Sequence, residues 1–179
     1  METFDTLEFA VDHDEPIQYI RRISSYYEKL GYGKPYQWAR YAEVPFTALA
    51  KPLSESQVAL VTTAAPYQPE KGDQGPGAPY NAAAKFYKVY SGSSDSDPDL
   101  RVSHIGIDRK HTTAEDSRTY FPLAQLRRLA KAGRIGSVAP RFHGAPTNRS
   151  QRTTIDQDCA ELLARIREDG SDVAVIVAN

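Results

Sequence analysis

Cysteine is almost absent from this 179-residue chain, in which Cys159 is the only one. An internal disulfide is therefore impossible, and so is a metal or redox site built on a CxxC pair. Any dithiol chemistry would need a partner chain or a further segment. We expect Cys159 to lie on the inward face of a helix beside Leu162 and Leu163, as a structural thiol, because reactive cysteines need an exposed, electropositive setting.

An excess of charge is also missing, since 22 basic and 23 acidic residues leave a net charge of -1. This balance does not indicate binding to nucleic acid or to a membrane surface. No apolar run approaches the roughly 20 residues that span a bilayer. The acidic start METFDTLEFAVDHDEP lacks the basic residues and the apolar stretch of a signal peptide. The expected location is the cytoplasm, without membrane contact.

What the sequence does contain is an alternation of strand-like and helix-like segments. Strands are predicted at 57–64, 85–90, 101–108 and 134–142, and helices at 16–30, 121–133 and 153–170. A closing apolar run, 173–177, predicts a strand buried on both faces of a parallel sheet. The alternation predicts the α/β class: a mostly parallel open sheet with flanking helices in Rossmann- or flavodoxin-like layers, incomplete at the C-terminus. Residues 1–50 are expected to form a helix and an aromatic-rich extension, and 51–179 the α/β part of a single domain.

Side chains suited to chemistry are densest in 103–122, at and after the end of a predicted strand. His104, Asp108 and His111 stand there, and in open α/β sheets ligands bind beyond the carboxyl ends of strands. A histidine moves protons near neutral pH, and a nearby carboxylate can fix its tautomer. Turn capping and surface ion pairing are an alternative interpretation. A divalent metal bound by the same three residues, as in a metal-dependent hydrolase, is another, although no HExxH motif is present.

A second polar stretch, 140–152, is predicted to be a loop between a strand and a helix. It carries Arg141, His143, Asn148 and Arg149. The planar fork of arginine suits a carboxylate or phosphate, and a loop before a helix N-terminus can hold an anion. The alternative is a solvated basic loop paired with nearby acidic residues. Nucleic-acid binding is not expected, because the basic residues form no long stripe.

Four stretches resemble a known family in their order along the chain. They are VALVTTAA, VSHIGID, YFPLAQLRRLAKAGRIGSVAPRFHG and LLARIREDGSDVAVIVAN. Together they resemble the selenoprotein B family of glycine, betaine, sarcosine and D-proline reductases, from about Trp38 onward. The sharpest parts are Ser-His-x-Gly-x-Asp at 103–108 and Phe-Pro-x-x-x-Leu at 121–126, which leads to Gly133-Arg-Ile-Gly136.

The resemblance implies an oxidoreductase that cleaves a carbon–nitrogen bond, with selenocysteine or cysteine as nucleophile and dithiols as the electron source. His104 and Asp108 would then position or protonate the substrate, with His111 as a lesser candidate. Substrate contacts would come from Ser103, Arg141, His143, Asn148 and Arg149. In the family the reactive residue follows a strand equivalent to 173–177, so the nucleophile is expected downstream of Asn179, on a longer gene product or on a second chain made by cleavage. A shortened homologue without reductase activity is the remaining possibility.

No cofactor is expected within this chain, and no metal. The expected partners are a small anionic or amino-acid-like substrate and a second chain or downstream segment that covers the sheet edge, in a homo- or hetero-oligomer. The competing function is a non-catalytic subunit that binds a partner through this edge.

Overall fold

The computed structural model describes residues 18–32, 42–44, 47–76, 78–102, 107, 111–147 and 150–178. The chain divides into two compact units, Met1–Ala42 and Glu43–Asn179. In the first unit, helix α1 (Tyr19–Lys29) lies within the predicted 16–30. Gly31 follows it at φ 76°, a conformation that glycine adopts without the steric penalty of a Cβ atom.

The second unit is built on a five-stranded sheet with β1 (Gln57–Thr62) at its centre. β5 (Ser137–Val138) and β6 (Arg141–Gly144) run parallel to β1 on one side, and β7 (Val173–Val177) runs parallel to it on the other. β3 (Tyr90–Ser93) pairs antiparallel with the outer side of β6. The sheet is therefore mostly parallel and mixed, and with its helices it confirms the α/β class.

The core lies on one face of this sheet. β1 is apolar along most of its length, and Val58 and Leu60 on this face are almost fully buried. They pack with Phe142 of β6 and with Leu123 and Leu126 of α2 (Leu123–Lys131). Because β6 alternates Arg-Phe-His-Gly, its polar side chains Arg141 and His143 lie on the other face. That face carries the candidate polar network described below.

The last helix begins as α3 (Gln151–Thr153), passes through a π-helical segment (Thr154–Asp158) and continues as α4 (Cys159–Glu168). The prediction that Cys159 is buried is wrong: its thiol is exposed, and Asp158 is buried instead. A π-helical turn holds one more residue than an α-helical turn. It therefore rotates every later side chain around the helix axis, and a uniform 3.6-residue period assigns the wrong face.

The prediction that 173–177 is buried on both faces is also wrong. Within the described residues β7 pairs only with β1, so it is an edge strand. Val173 and Val177 pack against the core, but Ile176 is 72% exposed and Val175 37% exposed. No helix among the described residues is long and apolar enough to cross a membrane.

Candidate functional site

The carboxyl ends of three parallel strands meet at one edge of the sheet. Thr62, the last residue of β1, is in register with Gly144 of β6 and with Val177 of β7. Beyond it, the amide of Thr63 donates to the Val177 carbonyl at 3.2 Å, and the Ala145 amide donates to the Thr62 carbonyl at 2.8 Å. We call this the carboxyl edge. In open α/β sheets it is the side on which ligands bind.

In the sequence, most of the residues predicted to do chemistry come directly after segments that the structure describes near this edge. β2 (Ala65–Pro66) continues from β1 and pairs antiparallel with β4 (Leu100–Arg101), so the chain returns towards the end of β1 at Val102. Thr147 follows β6. The sequence continues from these points into ranges that lie outside the described residues, and these contain Ser103, His104, Asp108, Asn148 and Arg149.

A small open pocket, of about 30 Å³, lies beside this region. Its walls come from three segments: the loop at 74–78, β4 with Val102 and Ile107, and the segment from Thr112 to Tyr120. The lining residues include Gln74, Arg101, Thr112, Thr113, Ala114 and Tyr120. A volume of this size admits about two water molecules. It therefore suits one polar group of a ligand and not a whole amino acid.

Arg101 is held in a fixed orientation at this pocket. Its Nε donates to Oδ1 of Asp99 at 2.5 Å and its Nη2 donates to Oδ2 at 2.9 Å. Its guanidinium carbon lies 4.8 Å from the centre of the Tyr67 ring, a cation–π distance. The hydrogen bond with Asp99 is the main reason that the pKa of Arg101 is raised, so the group stays charged.

The opposite wall is tied to the sheet through Tyr120. Its carbonyl accepts a hydrogen bond from Oγ1 of Thr62 at 2.7 Å, and its hydroxyl donates to the Leu100 carbonyl at 3.2 Å. Burial raises the pKa of Tyr120, so the phenol is neutral near pH 7. Ala114, in the same wall, has φ 57°. Left-handed backbone at a residue other than glycine is strained and clusters at functional sites.

The face of the sheet opposite the core holds a buried polar network around His143. His143 is fully buried and lies directly across from Ser91 of β3. Arg165 of α4 donates through Nη1 to Oγ of Ser91 at 2.7 Å, and that Oγ lies 2.9 Å from Nδ1 of His143. Since the arginine can only donate, we assign the Ser91 proton to Nδ1 of His143. The proton of the neutral imidazole is then on Nε2, which faces Asp169.

The pair of His143 and Asp169 is close but poorly aligned. Nε2 and Oδ2 are 3.1 Å apart, yet neither atom makes a hydrogen bond of normal geometry. Burial is the main reason that the pKa of His143 is lowered, and the positive charges of Arg141 and Arg165 act in the same direction. The negative charge of Asp169 partly offsets them. The imidazole is therefore neutral at pH 7.

Arg141 is committed to ion pairs inside the protein. Its Nε donates to Oδ1 of Asp169 and its Nη2 donates to Oε2 of Glu168, both at 2.7 Å. These two carboxylates raise the pKa of Arg141. The geometry ties the end of α4 to β6 and leaves this arginine with two anionic partners already bound.

Comparison with known proteins places the chain in a family. A family model described as glycine/sarcosine/betaine reductase selenoprotein B matches residues 27–179. The chain belongs to this family. It is also similar to D-proline reductase subunit gamma of Acetoanaerobium sticklandii, with 30% identity over 136 residues, 75% of this chain and 53% of the relative. The chain thus spans about half the length of that relative. No solved structure matches it.

The structure places the predicted residues of this selenoprotein B family member in different settings. Arg141 and His143 were predicted to be in a loop, but they lie in strand β6. His111 is exposed. Whether any of them touches a substrate stays a prediction. Among the described residues no three His, Cys, Asp or Glu side chains are grouped so that they could hold a metal, and the proposed ligands His104 and Asp108 lie outside those residues.

Arg101 and Asp169 were missed by sequence reasoning. Arg101 directly precedes the Val-Ser-His motif, and an acidic residue stands two positions before it. This local spacing was a usable signal for an oriented arginine. Asp169 offered none, because its partners lie 26 and 28 residues earlier in the chain and meet it only through the fold.

Proposed function

We propose that this chain is a subunit or fragment of a thiol- or selenol-dependent reductase that cleaves a carbon–nitrogen bond of a small, amino-acid-like substrate. Its membership of the selenoprotein B family supports a reductase, and its similarity to a gamma subunit supports an assembly of several subunits. The observation that carries the proposal is the carboxyl edge. There β1, β6 and β7 end in register, beside the pocket that Arg101 lines.

The reaction needs two electrons and two protons for each bond cleaved. A thiolate or selenolate attacks the carbon, the bond to nitrogen breaks, and the nitrogen takes up one proton and leaves. A second thiol then attacks the sulfur or selenium, the bond from that atom to carbon breaks, the carbon takes up the second proton, and a disulfide or selenosulfide forms. Closure of the disulfide or selenosulfide needs two sulfur or selenium atoms, and Cys159 is the only cysteine of the chain. We therefore propose that the attacking group comes from outside these 179 residues, from more of the same polypeptide or from a partner chain. His104 would supply a proton and Asp108 would orient it.

Replacement of His104 by alanine tests this proposal in the assembled reductase. Loss of a general acid lowers kcat by about a hundred- to ten-thousand-fold. We expect such a loss with unchanged circular dichroism and unchanged subunit assembly. His111→Ala compares the two candidates: because His111 is the lesser one, this variant should lose less activity than His104→Ala. Full turnover in the His104→Ala enzyme would refute the role of this residue.

A non-catalytic, partner-binding subunit is the second candidate, favoured by the exposed edge strand β7. Ile176 on this strand is largely exposed, and exposed strand edges with apolar side chains are sites of strand pairing between chains. If this function is the correct one, both histidine variants should leave the activity of the assembly unchanged.

A further inference from the structure

We propose that the pocket lined by Arg101 binds the carboxylate group of the substrate, and that Arg101 determines specificity for acids. This inference deepens the proposed function and rests on it for the identity of the substrate. Arg101 was not among the residues expected to bind an anion. The following features of the pocket support the assignment.

The guanidinium of Arg101 keeps donors for a ligand. Arginine has five N–H groups, and Asp99 takes one on Nε and one on Nη2. Nη1 makes no hydrogen bond within the described part of the chain. Asp99 is half exposed, so solvent screens its charge. The negative charge of Asp99 therefore opposes binding of a second carboxylate to Arg101 only weakly.

The orientation of Arg101 is already fixed before a ligand arrives. Its guanidinium carbon lies over the Tyr67 ring, and Asp99 holds two of its nitrogens. A side chain that is ordered in advance loses little conformational entropy on binding. Arg141 offers no comparable site, since two carboxylates, those of Asp169 and Glu168, already balance its charge.

The composition and size of the pocket suit one carboxylate. Arg101 is the only charged residue among the described ones that line it, and Thr112 and Thr113 add hydroxyl groups. The volume of about 30 Å³ admits a group of a few atoms. The pocket is open, so the rest of a bound molecule would extend out of it.

Binding of matched small molecules to the full chain tests the inference without turnover. The probes are D-proline and glycine, each compared with an analogue that lacks the carboxylate, D-prolinol and aminoethanol. Titrations followed by NMR of the Arg101 and Tyr120 signals give the dissociation constants. We expect the acids to bind and the alcohols to bind at least about ten-fold more weakly, because a charge-assisted hydrogen bond is lost.

Three variants separate the ligand contact from general effects. Arg101→Gln should weaken binding of the acids by about ten- to a hundred-fold, and Arg101→Lys, which retains the charge but not the fork, by less. Arg118→Gln is the matched control: Arg118 makes the same two-pronged contact with Asp116 two residues earlier, but does not line the pocket.

Each outcome decides the inference. Equal binding of acids and alcohols, equal losses in Arg101→Gln and Arg118→Gln, or no binding by the correctly folded chain would overturn it. In the assembled enzyme, a raised KM for the acid in Arg101→Lys supports it. The protein could also bind acids through Arg101 and show no reductase activity. That result would contradict the proposed reaction and support the carboxylate site. Turnover by the Arg101→Lys enzyme with an unchanged KM for the acid would contradict the carboxylate site and leave the proposed reaction intact.

Discussion

The buried histidine of β6 makes the stability of the fold depend on pH. His143 is fully buried, and the polar groups around it come from several elements: Ser91 from β3, Arg141 from β6, Arg165 from α4, and Asp169 from the turn after α4. β1 places the apolar Val61 in register with it. Burial lowers the pKa of His143 below its ordinary value of 6.5, and Asp169 only partly offsets this effect. The protein therefore folds with a neutral imidazole.

The sign of the dependence follows from proton uptake. Below about pH 6.5 the unfolded chain binds a proton at this histidine, whereas the folded protein does not until its lower pKa is reached. Unfolding is thus favoured as the pH falls through this window. The slope for one group approaches about 1.4 kcal/mol per pH unit, so between pH 6.5 and pH 5 the loss in unfolding free energy is at most about 2 kcal/mol.

Urea unfolding at half-unit steps from pH 7.5 to pH 5 measures this loss. His143→Gln keeps a neutral polar side chain in place and should flatten the dependence in this window. His111→Gln, in which the replaced histidine is exposed, should retain it. Parallel curves for the wild type and His143→Gln would refute the reasoning. A wild-type protein that gains stability as the pH falls would show that Asp169 outweighs burial.

Two further predictions test the packing of β6 and which face of the last helix carries Cys159. Gly144→Ala should destabilise the protein by about 1–3 kcal/mol, the usual cost of overpacking. The reason is that a Cβ atom at this position would overlap the ring of Tyr90. The urea midpoint measures the loss, and an unchanged midpoint would contradict this contact. Cys159 should react with Ellman's reagent in the native protein at nearly the rate of a free thiol, because it is exposed. If the thiol reacts only after unfolding, Cys159 is on the inward face of the helix and the exposed position is wrong.

The regular elements were predictable where apolar spacing alone decides the structure. The strand at 57–62, the helix at 123–131 and the direction of the closing strand follow from runs and periods that can be read directly. The position of the closing strand at the sheet edge could not be read. Its apolar sequence fits a central strand equally well, and only the pairing partners of β1 distinguish the two.

The strand predicted at 85–90 shows how a tertiary contact shifts an element. The observed strand is Tyr90–Ser93, whose sequence Tyr-Ser-Gly-Ser looks like the start of a turn. It forms a strand because β6 provides its pairing partner. Gly92 also permits close packing, since a Cβ atom there would lie 2.5 Å from the ring of Phe142. Such a fit depends on both strands, and neither one encodes it alone.

The location of the candidate site was more predictable than its residues. The rule that ligands bind beyond the carboxyl ends of strands directed attention to the stretch 103–122, and Val102, just before it, packs against the core after β4. The second stretch, 140–152, was proposed from its arginines and the helix that follows it, and it contains Gly144 at the carboxyl edge. The choice among polar residues within those stretches was harder. A charged residue in a short strand and one in a loop look alike in the sequence when the strand is only four residues long.

The different settings of Arg101 and Arg141 follow from where their acidic partners lie. Asp99 is two residues from Arg101, so their ion pair forms locally through Nε and Nη2. Nη1 of the guanidinium then remains for a ligand. The partners of Arg141 stand at the end of α4, and they reach it only when the helix packs on the sheet. An ion pair that closes a tertiary contact serves the fold, because exchanging its carboxylate for a ligand would loosen α4 from β6. A locally formed pair carries no such constraint, and this is the physical reason to expect substrate at Arg101.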